Sequence, residues 1–162
     1  MILVVTSSRI TGLQYHRQIV PFASLGIEVE FTYNESELSD DYLKKFKCIS
    51  FLREIKSDVS RYKKLGLKVH LDIDDYWVLP KNHSLYDQYK KNGYAENTIQ
   101  ALKDADFVTT TTEYLGNRIK EYNHNVYVLP NAINTEEEQW QPNPIETTHN
   151  RMRFGYVAGV HH

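Results

Sequence analysis

The chain reads as an α/β protein with a Rossmann-like, doubly wound parallel sheet. Three observations predict it. Strand-like and helix-like segments alternate along the chain with one-element crossovers. The opening run Ile2-Leu3-Val4-Val5 is continuously apolar and β-branched, as in a strand buried on both faces. Polar and charged residues follow the first, third, fourth, fifth and sixth strands, on the rim where open parallel sheets bind ligands.

The first strand spans Ile2 to Thr6, followed by Ser7-Ser8-Arg9 and Gly12. Tyr15 to Leu25 has helical spacing through Tyr15, Ile19, Phe22 and Ala23, with Pro21 expected to kink it and Gly26 to close it. Ile27 to Tyr33 alternates apolar residues with Glu and Thr and forms the second strand. Ser39 caps a short helix through Phe46. Lys47 to Leu52 is the third strand, Ser57 to Leu65 a solvated helix ended by Gly66, and Leu67 to Leu71 the fourth strand. A long aromatic and polar segment follows, with one short helix near Leu85 to Lys90. Glu96 to Asp104 is helical, Phe107 to Thr111 the fifth strand, Thr112 to Tyr122 a helix, and Asn125 to Leu129 the sixth strand. The predicted strand order is 3-2-1-4-5-6, with the first strand central.

Composition narrows the function classes. The 162 residues are 41% hydrophobic and 25% charged, with a formal charge of -2. That balance supplies no field favouring nucleic acid or an anionic membrane. No apolar run approaches the roughly 20 residues of a membrane span, and no basic region leads into an apolar stretch, so the expected setting is cytoplasmic. The lone Cys48 excludes an internal disulfide and reads as inert core.

The first loop has neither a Gly-x-Gly-x-x-Gly fingerprint nor a Walker A motif. Gly12 either lets backbone N–H groups approach a phosphate or serves an ordinary turn. His16 and Arg17, near the start of the first helix, either meet an anionic group or form a solvated turn. Asp72-Ile73-Asp74-Asp75 places three carboxylates within four residues. They are read three ways: as hard-oxygen ligands for a divalent cation, as a base or acceptor for sugar hydroxyls, or as caps of the next turn. A phosphoacceptor receiver domain is excluded, because Ser-Ser-Arg rather than an acidic pair follows the first strand. His83 lies near Trp77, Tyr86 and Tyr89, whose rings either stack on sugars or pack, as most of the 20 aromatics must.

Five stretches carry a family resemblance: Tyr15-His16-Arg17 with Pro21; Leu65-Gly66-Leu67-Lys68-Val69 leading into Asp72-Ile73-Asp74-Asp75-Tyr76-Trp77; Ala105-Asp106-Phe107-Val108-Thr109; Val128-Leu129-Pro130-Asn131-Ala132-Ile133; and Arg153-Phe154-Gly155-Tyr156-Val157-Ala158-Gly159. With these the chain resembles the N-terminal half of a GT-B glycosyltransferase, in the large retaining, family-4-like group that includes sucrose- and glycogen-synthase-like enzymes. Where that family has a glycine pair in the first loop, this chain has Gly12 alone. The resemblance implies transfer of a sugar from a nucleotide-sugar to a glycan or lipid-linked acceptor, with no catalytic metal and no other cofactor. It implies that the N-terminal domain binds the acceptor, that Gly12 lies near the donor diphosphate, and that Asn131 begins the crossing to a donor domain.

Asp74 and Asp75 are thus the candidate catalytic residues. The candidate binding residues for donor diphosphate or acceptor are Gly12, His16, Arg17 and Asp72, with His83, Glu113, Asn131 and Gly159. The expected organisation is a Rossmann-like domain over 1–134, a linker over 135–150, and at 151–162 the first strand of a donor domain that is missing. The isolated chain is then expected to be inactive, and its 151–158 strand to invite self-association. A non-catalytic glycan- or protein-binding module is the alternative.

Overall fold

The computed structural model describes residues 1–6, 10–132, 134–136, 138 and 141. The expectations for Ser7, Ser8 and Arg9, for most of the linker, for the 151–158 strand and for Gly159 fall outside the described residues. Six parallel strands form one sheet: β1 (Ile2–Val5), β2 (Val29–Thr32), β3 (Cys48–Leu52), β4 (Lys68–Ile73), β5 (Phe107–Thr110) and β6 (Val126–Val128). The helices are α1 (Gly12–Gln14), α2 (Val20–Ser24), α3 (Asp40–Leu43), α4 (Val59–Lys64), α5 (Tyr86–Lys91), α6 (Tyr94–Asp104) and α7 (Glu113–Ile119). None of them is long and apolar enough to cross a membrane.

The strand order is β2-β1-β3-β4-β5-β6, which corrects the predicted 3-2-1-4-5-6. Burial explains the difference. β3 carries Ile49, Ser50 and Phe51 at no more than 2% exposure, and an edge position would leave one side of it unpaired. The alternating β2, with Phe31 exposed, tolerates the edge. The chain therefore steps outward once, from β1 to β2, and then turns back past β1 to β3. Right-handed crossovers put the helix of that first step on one face and the helices of all later steps on the other.

The two faces differ in chemistry. Strand alternation sends Leu3, Ile49, Phe51, Val69, Leu71 and Val108 to one side, where they pack with Leu43, Tyr62, Leu102 and Ile119 from α3, α4, α6 and α7. Gly116 of α7 lets that helix approach closely: a Cβ there would lie 3.2 Å from Val128 Cγ2. The opposite side carries Ser50, His70, Asp72 and Thr109 beneath the first helical segment.

That first segment is not one regular helix. α1 opens on Thr11, whose hydroxyl accepts from the Gln14 amide, and a π-helical turn over Tyr15–Ile19 joins α1 to α2. Pro21 follows within the first turn of α2. Proline has no N–H to donate and clashes with the carbonyl four residues back, here that of Arg17. The widened turn absorbs both effects without breaking the segment. Gly26 (φ +63°) and Gly66 (φ +85°) then close α2 and α4 with left-handed caps. In each, the next residue's amide donates back into the last helical turn, Ile27 to Phe22 and Leu67 to Tyr62.

Candidate functional site

The topology fixes where a ligand fits. The winding direction reverses between β1 and β3, and a crevice opens beyond the carboxyl ends of strands at such a switch point. A cavity of about 590 Å³ lies there, walled by Thr6 and Gln14 near β1, Tyr33 and Glu35 after β2, Arg53 after β3, and Tyr94 at the start of α6.

Arg53 is the most constrained residue of this rim. Its φ of +64° makes it the one non-glycine in the left-handed region among the described residues, a conformation that costs about 1 kcal/mol or more. Its amide donates to Asp72 O at 2.8 Å, and the next amide, of Glu54, turns back to Leu52 O at 2.8 Å. This bend aims the guanidinium across the strand ends at the aspartates. Nε and Nη2 donate to the two oxygens of Asp74 at 2.6 and 2.7 Å, and Nη2 also donates to Asp75 Oδ2 at 2.6 Å. The Asp74 hydrogen bonds hold the Arg53 pKa above its ordinary value.

The three sequence-predicted aspartates thereby separate. Asp72 lies inside β4, one residue before its end and only 1% exposed, so the fourth strand runs further than Leu71. Arg17 binds it bidentately, Nε to Oδ1 at 3.0 Å and Nη2 to Oδ2 at 2.7 Å, and the Thr109 hydroxyl donates to Oδ2 as well. Burial raises the Asp72 pKa, and the Arg17 and Thr109 hydrogen bonds oppose the rise. Asp74, with its side chain 9% exposed, is closed by Arg53. Asp75, 67% exposed, keeps its second oxygen outside that pair. Arg53 thus places its positive charge against both carboxylates.

Arg17 is not part of a solvated turn: its side chain is 4% exposed and paired with Asp72. The π-turn points it inward, where Nη1 reaches Leu129 O at 2.6 Å and Asn131 Oδ1 at 3.2 Å. Asn131, Arg17 and Asp72 thus form one cluster that ties the first helical segment to the chain leaving β6. His16, on the other side of the turn, is exposed and edges against Tyr15. Gly12 is exposed, and a Cβ built on it meets nothing within 4 Å. Glu113 is exposed in the first turn of α7. His83 sits apart from the switch-point cavity and accepts the Leu85 amide on Nδ1 at 3.1 Å. Trp77 is core, 3% exposed and edge-on to Tyr122, so it offers no stacking face. Cys48 is half-buried, and burial pushes its thiol up to about 12.

A polar relay that sequence reasoning missed runs under the first helical segment. Gln14 Nε2 donates to Val5 O and to Gln18 Oε1, and Gln18 Nε2 donates to Ser50 Oγ at 2.9 Å. Ser50 Oγ lies 2.8 Å from His70 Nδ1, and His70 Nε2 lies 2.9 Å from Thr109 Oγ1. Both ends of this chain are fixed, so its direction is forced. Thr109 spends its proton on Asp72, and must accept from His70 Nε2–H. His70 Nδ1 must then accept from the Ser50 hydroxyl. The relay therefore requires a neutral imidazole, in keeping with a His70 pKa lowered by burial, and by the Arg17 charge, to about 4. The available signals were the helical spacing of Gln14, Arg17 and Gln18 and the period-two placement of His70 and Asp72 in the fourth strand.

No protein-family model and no curated protein matches the chain.

Proposed function

We propose that the chain is the acceptor-side domain of a GT-B glycosyltransferase, which moves a sugar from a nucleotide-sugar to a glycan or lipid-linked acceptor. One observation carries the reading: a carboxyl-edge cavity at the β1/β3 switch point whose wall residue Arg53 holds Asp75 at the rim, exposed and with one oxygen outside the pair. A carboxylate oxygen of that kind accepts a hydrogen bond from an acceptor hydroxyl and orients it for attack. Asp74 positions Arg53 and is not itself a base. The family resemblance in the sequence supplies the reaction class.

A non-catalytic binding module is the second reading. It is favoured by the pairing of all three aspartates within the chain. The two readings part in a transfer assay. The gene product containing residues 1–162 is incubated with a panel of radiolabelled nucleotide-sugars and carbohydrate acceptors. Label transfer to an acceptor is expected; its absence across the panel, with saccharide binding retained, selects the binding module. Residues 1–162 alone are expected to show no turnover, since transition-state stabilisation needs groups on both sides of the reacting bond.

A further inference from the structure

We infer that the acceptor is an oligosaccharide whose rings run from the switch-point cavity, across a tyrosine pair, into a second cavity beside it. The inference rests on the sugar-transfer reading and settles a choice that it leaves open, between a glycan and a lipid-linked acceptor.

A glycine sets up the junction. α5 ends at Lys91 and α6 starts at Tyr94, with Gly93 between them at φ +60°. Glycine takes that left-handed turn at little cost. The turn packs α6 against α5 so that Tyr89 meets Tyr94, with ring centroids 4.3 Å apart and planes tilted by 48°. Tyr94 lines the switch-point cavity. Tyr89 lines a second cavity of about 230 Å³, together with Leu79, Tyr86, Lys90 and Glu96. The pair is therefore a wall that the two cavities share. Both cavities open to solvent and both tyrosines are half-buried, so a ligand can cross over the exposed part of the pair.

Size and chemistry favour sugar rings on both sides of that wall. The second cavity is smaller than the roughly 300 Å³ at which a site holds a whole ligand, and suits one further ring of a ligand anchored next door. Its aromatic walls pack against sugar C–H faces. Lys90 offers a donor and Glu96 an acceptor, and ring hydroxyls use both. An alkyl tail uses neither and takes water from both. In the switch-point cavity the Glu35 and Glu54 carboxylates accept hydroxyls in the same way. Burial raises the Tyr94 pKa, which keeps its phenol protonated and able to donate.

The test titrates the full chain, followed by amide NMR, with two series and one tailed sugar: glucose, maltose and maltotriose; N-acetylglucosamine, chitobiose and chitotriose; and hexyl glucoside. Shifts are read at Phe51 and Arg53 for the switch-point cavity, and at Tyr86 and Glu96 for the second. In at least one series the monosaccharide is expected to shift the first set and the longer members both sets. Affinity is expected to rise about tenfold or more from one ring to three. Tyr86→Ala is expected to abolish that rise. Lys90→Ala, at an exposed position where substitution leaves the fold intact, is expected to reduce it. Shifts confined to the first set at every length, or a rise unchanged in both variants, overturn the inference and leave the sugar-transfer reading standing. A gain of hexyl glucoside over glucose equal to that of maltotriose, with shifts in the second set, gives the second cavity to a lipid tail and overturns it too. Shifts in the second set alone overturn the continuity of the two cavities. No shift in either set with any of these probes overturns the inference and the acceptor-site reading together.

Discussion

The two faces of the sheet are held by different forces. One is apolar: its buried side chains from β1, β3, β4 and β5 meet four helices with no ion pair among them. The other is covered by a single interrupted helical segment and is specified by directed hydrogen bonds that run from Gln14 to Asp72 and Arg17. An apolar face is tolerant, because hydrophobic contacts lack direction and similar volumes substitute for one another. A buried polar face is not, because every donor needs its one acceptor and a lost partner leaves a desolvated group behind. The polar face also reaches the carboxyl edge, where the Asn131 end of the cluster meets the chain leaving β6. The element most sensitive to single changes is therefore tied to the rim where ligands bind.

The largest break in this comparison comes from Arg17→Met. It leaves the Asp72 carboxylate buried with only Thr109 as a donor, and removing one partner of a buried pair costs about 3–5 kcal/mol. Urea unfolding should show that loss as a lower midpoint. Adding Asp72→Asn removes the stranded charge and should recover at least about 1 kcal/mol. A double variant no more stable than the single one would show that the pair's charge is not what matters.

The second effect is pH dependence. His70 titrates near 4 when folded and near 6.5 when unfolded. Between those values the unfolded chain binds more protons, so stability rises with pH across the window and falls as pH drops from 6.5 towards 4. The full span corresponds to about 3 kcal/mol. His70→Gln should flatten this part of the stability profile. Comparing the two profiles removes the contribution of the carboxylates they share. Parallel profiles for the two proteins would mean that His70 does not supply the slope.

Adjacent residues of β5 give the sharpest contrast between the faces. Thr109 points to the relay, accepting from His70 and donating to Asp72. Thr110 points to the apolar face, where its buried hydroxyl finds no partner among the described residues. Thr109→Val should cost about 1–3 kcal/mol, while Thr110→Val, nearly isosteric, should be neutral or stabilise by up to about 1 kcal/mol. Chemical denaturation of the two variants side by side measures the sign directly. Equal losses would erase the distinction between the faces.

How much of this was legible in the sequence follows the same division. The apolar face was readable: Leu3 in the opening run, Val108 in the fifth strand, the glycine closing α4 and the Ser39 cap all express local rules that tertiary contacts reinforce. The strand order was not, since the same βα alternation permits either winding, and only the depth at which β3 is buried decides between them. The site was legible as a rim but not as a set of partners. Asp72, Asp74 and Asp75 look equivalent in sequence, and the arginines that divide them are 55 residues away for Arg17 and 21 and 22 for Arg53. A positive φ at Arg53 leaves no trace in composition, because arginine is not a residue that favours it.

The smallest effect on stability is expected at Asp75, where function and folding part. Its side chain is 67% exposed, and its pair with Arg53 is shared with the more buried Asp74. Asp75→Asn should therefore change unfolding free energy by no more than about 0.5 kcal/mol, as at an ordinary surface position. If its outer oxygen orients an acceptor hydroxyl, the same change in the active gene product should lower transfer at least tenfold, on the order of 1.4 kcal/mol of transition-state stabilisation. Asp74→Asn gives the counterpart. It weakens the clamp on a backbone already held at φ +64°, so activity and melting temperature should fall together. Measured as transfer rate against melting temperature, the two variants should fall on different lines. If Asp75→Asn kept full transfer activity, or lost stability in step with it, the exposed carboxylate would be a turn cap and the cavity would have to find its hydroxyl acceptor in Glu35 or Glu54.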